Sequence, residues 1–66
     1  MEIGKVIKEA LQVKGWSQSE LAQQIGVKQN TVSQWITGKN QPNLETIVKL
    51  CQMLDITPNE LFGWND

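Results

Sequence analysis

The sequence has no histidine, no arginine, no tyrosine and a single cysteine, Cys51. Without histidine it lacks the commonest metal ligand and the commonest general base. A lone cysteine builds neither a disulfide framework nor a thiolate cluster. With no base to activate it, Cys51 reads as a small buried hydrophobe and not as a nucleophile. No apolar run is long enough to cross a bilayer, and no charged, apolar, small-residue order suggests a signal peptide. The five glycines and two prolines fall singly between periodic segments, so no low-complexity stretch is present. The expectation is a cytoplasmic, non-catalytic protein: no catalytic residue, no metal, no cofactor, no membrane partner and no small-molecule ligand.

What remains is one small domain over residues 1–66. A chain of this size buries only about 60% of its unfolded surface, so its core has to be used efficiently. The net charge is −1, but it is unevenly spread. Residues 1–40 hold five lysines against three glutamates, whereas residues 41–66 hold one lysine against four acidic residues. The amino-terminal part is therefore the electropositive one.

Hydrophobic periodicity is helical throughout. Ile3, Val6, Ile7, Ala10 and Leu11 form a stripe at spacings of three and four, and Gly15 is placed to end that helix. Ser17-Gln18-Ser19-Glu20 is a capping box, with Trp16 and Leu21 as the flanking hydrophobic staple. The second helix carries Leu21, Ala22 and Ile25 and stops at Gly26. A third begins near Lys28 with Val32, Trp35 and Ile36 as its buried stripe, and ends at Gly38. Asn43 caps a fourth helix whose apolar residues are Leu44, Ile47, Val48, Leu50, Cys51 and Leu54. Thr57-Pro58-Asn59-Glu60 is a second capping box, with an Ile56–Leu61 staple. The fold class is all-α: a compact bundle of five short helices.

Ser17 to Gly38, SQSELAQQIGVKQNTVSQWITG, combines a capped helix, a glycine-containing turn and a second helix with a bare polar face. That order is the helix-turn-helix arrangement, formed here by the second and third helices over about Ser17 to Thr37. Ser17-Gln18, Glu20-Leu21-Ala22, Ile25-Gly26-Val27, Ser33-Gln34-Trp35, Gly38-Lys39, Pro42 and Leu44 stand at the spacings of one family. The segment from Asp55 to Leu61 matches the same family's closing helix. The sequence resembles the phage-repressor and Cro type of helix-turn-helix domain, the lambda-repressor-like family, over nearly its whole length.

The resemblance implies a double-stranded DNA partner and a role in transcription regulation, most simply as a repressor. It places the helix from Gln18 across the DNA backbone and the N-terminal side chains of the helix from Lys28 at base edges in the major groove. Lys28, Gln29, Asn30, Ser33 and Gln34 become the base-contacting candidates. Gln18, Thr31, Thr37, Lys39 and Asn40 become the phosphate-contacting ones. Asn and Gln suit the work because amide donor and acceptor match the N6 and N7 edge of adenine.

Three departures from the family pattern carry consequences. Positions 11 and 36, an arginine–glutamate ion pair in relatives, are Leu11 and Ile36 here. Exchange of a buried pair for packed hydrophobes is often neutral or stabilising. Lys28 stands where a serine or threonine caps the recognition helix, and lysine cannot accept an amide hydrogen bond. Finally, without arginine no guanidinium can grip guanine, which leaves lysine to serve a G·C pair.

A domain this small reads few base pairs, so a homodimer on a pseudo-palindromic site is expected. Phe62 and Trp64 are the expected dimer contact, with Met53 as a possible addition. The alternative function is an antitoxin-like or other protein-interaction module on the same fold. Such a chain is expected to add a disordered or helical segment for its partner, which these 66 residues do not show.

Overall fold

A computed structural model describes residues 3–62. Five helices follow one another: α1 (Ile3–Lys14), α2 (Gln18–Ile25), α3 (Gln29–Thr37), α4 (Leu44–Leu54) and α5 (Pro58–Phe62). Among the described residues there is no strand, and no helix is long and apolar enough to cross a membrane.

Helix boundaries sit where the local chemistry puts them. Ser17 Oγ accepts from the Glu20 amide while Glu20 Oε1 accepts from the Ser17 amide, so the capping box of α2 is complete. The same reciprocal pair joins Thr57 and Glu60 at the start of α5. Asn43 Oδ1 accepts from the Thr46 amide, 2.9 Å away, and opens α4. Each such cap satisfies an amide that the helix itself leaves unpaired, and is worth about 1 kcal/mol.

One core unites the elements. Ile3, Ile7, Ala10 and Leu11 of α1 meet Leu21, Ala22, Val32, Trp35, Ile47, Leu50, Cys51, Leu54 and Leu61, all buried. Ile7, Leu21, Leu50, Leu61 and Val32 are fully enclosed, each contributing roughly 1.5–3 kcal/mol by burial. Trp16, Val27, Ile36 and Ile56 pack half-buried against this cluster. The expected α1–α3 partners Leu11 and Ile36 thus both join apolar surroundings. Helix α1 packs on α3, α4 and α5, while α2 packs on α3 and α4.

At the α1–α3 crossing the backbones nearly touch. A Cβ built on Gly4 would stand 2.7 Å from the Trp35 carbonyl oxygen and nearer still to that of Ile36. Only a residue without a side chain fits there, and periodicity gave no hint of it. Another feature absent from the sequence pattern is the end of α4. Asp55 adopts a left-handed φ of 54°, a conformation usually left to glycine, and its carboxylate pairs with Lys14 of α1.

The structure corrects part of the expected α4 stripe. Leu44 and Val48 are 74% and 50% exposed, not buried. At about 100° per residue they lie roughly 60–100° from the Ile47–Leu50–Cys51–Leu54 row, beyond what the neighbouring helices cover. Trp64 lies outside the described residues, as does the side chain of Phe62.

Candidate nucleic-acid interface

The two arms α2 and α3 are joined by Gly26, Val27 and Lys28. Helix α2 closes with the Gly26 and Val27 amides both donating to the Ala22 carbonyl. Val27 then turns its side chain to the core, and Lys28 enters α3 in an extended conformation.

No side chain caps α3. The Lys28 carbonyl accepts from the Thr31 amide at 2.9 Å, but the amides before it find no acceptor from the cap residue's side chain. Helices α2, α4 and α5 each have a side-chain cap, as described above. The exposed start of α3 therefore combines free amides, the positive end of the helix dipole and the Lys28 ammonium. All three favour an anion.

Along α3, Gln29, Asn30, Ser33, Gln34 and Thr37 occupy an arc of about 140°, opposite the buried Val32 and Trp35. Gln29, Asn30 and Thr37 are exposed, Ser33 and Gln34 half-buried. Thr31 lies off this arc and is half-buried; Gln18 opens the neighbouring arm at a half-buried position. The structure thus brings most of the expected base and phosphate candidates onto one helical surface.

The far end of α3 is wound back onto itself. Gly38, at φ 80°, supplies the left-handed turn, and the Lys39 amide reaches the Gln34 carbonyl at 2.9 Å. The Asn40 amide and the Thr37 hydroxyl donate to that same oxygen. In addition, Asn40 Nδ2 donates to Gln34 Oε1. Three other helices end in the same backbone bond, and there the donating residues Trp16, Val27 and Ile56 turn into the core. At α3 the corresponding residue is Lys39, and it is exposed. A place used elsewhere to anchor an apolar group here presents a cation.

The charges agree with this geometry. Between Glu20 and Glu45 the sequence has no acidic residue, and Lys28 and Lys39 stand at the two ends of the polar arc. A cleft of about 400 Å³ lies elsewhere, lined by Ala10, Val13, Leu54 and Ile56 with Lys14, Asp55 and Glu60. No residue of the arc borders it. Cys51 is buried in the core, where desolvation, and then the nearby Glu60 charge, push its thiol above the ordinary range. The Asn40–Gln34 bond was not legible in the sequence; its only trace is a six-residue spacing across a glycine turn.

Comparison with known proteins adds independent support. A family model described as helix-turn-helix matches residues 7–61. Antitoxin HipB of Escherichia coli (strain K12) is 36% identical over 56 residues, which is 85% of this chain and 64% of that protein. The HTH-type transcriptional regulator ImmR of Bacillus subtilis (strain 168) is 30% identical over 63 residues, 96% of this chain and 50% of the relative. The HTH-type transcriptional activator BcrR of Enterococcus faecalis is also 30% identical over 63 residues, covering 96% of this chain and 31% of its own. In each comparison this chain spans less than two thirds of the relative's length.

Proposed function

This chain belongs to the phage-repressor and Cro-type helix-turn-helix family, and from that membership we propose that it regulates transcription by binding a specific double-stranded DNA site. The observation that carries the reading is the surface of α3: an uncapped, electropositive start, an arc of amide and hydroxyl side chains, and a lysine at the far end. In this reading Lys28, Gln29, Asn30, Ser33 and Gln34 face base edges in the major groove. The flanking Gln18, Thr31, Thr37, Lys39 and Asn40 hold phosphates on either side. Neutral amides suit base edges because they form directional hydrogen bonds without the cost of burying a charge.

The protein acts as a homodimer and as a repressor, with half-sites centred about 10–10.5 bp apart. Apolar surface left uncovered in the monomer supports the dimer: Leu44 and Val48 among the described residues, and Phe62 and Trp64 as the candidates from the sequence. Selection of bound duplexes from a random pool tests the whole reading. Enrichment of a two-fold symmetric motif is expected, and binding without sequence enrichment would refute it.

The antitoxin relatives favour a second reading, in which this domain serves a protein that neutralises a toxin. Its test is rescue of growth when the chain is co-expressed with a toxin from the same genome.

A further inference from the structure

We infer that Asn40 is a positioning residue for base recognition: it holds the Gln34 amide by its oxygen, so that Gln34 presents donors and selects guanine. The inference rests on the DNA-reading role proposed above for α3.

A glutamine side chain carries an acceptor and a two-hydrogen donor on one planar group. If that plane turns freely, the residue can set both groups against adenine, accepting from N6 and donating to N7. In this protein the plane is not free. Asn40 Nδ2 donates to Gln34 Oε1, and the Asn40 backbone amide donates to the Gln34 carbonyl. Two bonds between the same pair of residues, one along the backbone and one between side chains, tie the loop to the helix. The Gln34 carbonyl is further engaged by the Thr37 hydroxyl and the Lys39 amide. This part of the loop is thus ordered before any DNA arrives, and the entropic cost of fixing Gln34 is already met by folding.

With Oε1 turned to the loop, Nε2 lies on the other side of the amide carbon, and it has no partner among the described residues. Its two hydrogens are what Gln34 offers outward. Guanine answers with two major-groove acceptors, O6 and N7, whereas thymine offers one and cytosine's N4 offers none. Adenine offers N7 but sets its N6 donor against the second Nε2 hydrogen. The assignment departs from the sequence expectation that glutamines read adenine and that only lysine serves a G·C pair.

The test uses the full chain in pool selection, with Gln34→Ala, Asn40→Ala and Asn40→Asp beside the wild type. Gln34→Ala identifies the base position that depends on Gln34. The wild type is expected to enrich guanine there, by a discrimination of roughly 5- to 150-fold over adenine. Asn40→Ala frees the amide, and that preference should fall toward parity. Asn40→Asp accepts only, so it turns Nε2 inward and Oε1 outward; the position should then move to adenine or cytosine, which carry amino donors. Because the readout is a ratio at one position, a uniform loss of affinity from the new charge cancels. Should that charge abolish binding, the Asn40→Ala arm decides alone. A Gln34-dependent position that is adenine in the wild type, or guanine regardless of residue 40, overturns the proposal and leaves the regulatory reading standing. A wild type that enriches no sequence overturns both.

Discussion

Replacing Gly4 by alanine tests whether α1 and α3 are held as closely as the structure has them. In an ordinary helix interior the change is favourable by about 1 kcal/mol, because alanine loses less backbone freedom. Here the added methyl would meet the Trp35 carbonyl oxygen at 2.7 Å and that of Ile36 at a shorter distance still. Both obstacles are backbone atoms inside a helix, so no rotamer change relieves the clash. The helices must separate by an appreciable fraction of an ångström, and overpacking of this kind costs about 1–3 kcal/mol. The overlap is severe enough to place the cost at the upper end, leaving a net loss of about 1–2 kcal/mol after the propensity gain. For a domain of this size, 1 kcal/mol moves Tm by about 4–8 °C. Thermal melts followed by far-UV circular dichroism should show a fall of that order or twice it. Val13→Ala is the matched control: the same helix, 89% exposed, and expected within about 0.5 kcal/mol of wild type. Since α3 is the helix displaced, DNA affinity measured well below Tm should drop as well. A Gly4→Ala protein that melts at or above wild type would refute the close crossing.

Leu11→Arg places a charge in the core, where Leu11 is 4% exposed, and should cost roughly 3–5 kcal/mol; adding Ile36→Glu should recover a substantial part. Strict additivity in urea melts would show that the two side chains do not interact. Val48→Glu should shift sedimentation toward monomer with little change in monomer stability, because Val48 is half exposed. Trp64→Ala is the companion variant, and whichever substitution leaves the dimer constant unchanged removes its residue from the interface. Native Cys51 should resist iodoacetamide at pH 8 and react on unfolding. Its proton is held more tightly in the fold, so the unfolded thiol ionises first and stability falls as pH rises past 9.0, the ordinary thiol value. Comparing urea midpoints at pH 8 and pH 10 with those of Cys51→Ala isolates that contribution, and an equal pH dependence in both proteins would argue against it.

Much of this fold is written locally. Ser17 with Glu20, Asn43, and Thr57 with Glu60 start helices where their side chains reach nearby amides, and each bond spans only three residues. Gly15, Gly26 and Gly38 follow the last turns for an equally local reason, since a left-handed residue costs glycine little. Short-range bonds of this kind depend on sequence neighbours alone, so the five helices and the bare polar face of α3 are readable before any packing is known. The absence of a cap at Lys28 is readable for the same reason, because no lysine side chain can accept a hydrogen bond.

What the sequence could not supply depends on which surfaces meet. Leu44 and Val48 share the hydrophobic character of Ile47 and Leu50, and only the placement of neighbouring helices leaves the first two uncovered. Gly4 looks like a weak helix residue until α3 is laid across it. Asp55 takes a glycine's conformation at the end of α4, with its carboxylate paired to Lys14 across the fold. The orientation of Gln34 was likewise out of reach, since it depends on a loop folding back after the Gly38 turn to bring Asn40 against it. Local hydrogen bonding fixes where helices begin and end. The distance between backbones, the exposure of an apolar side chain and the direction of an amide are set only when the helices pack.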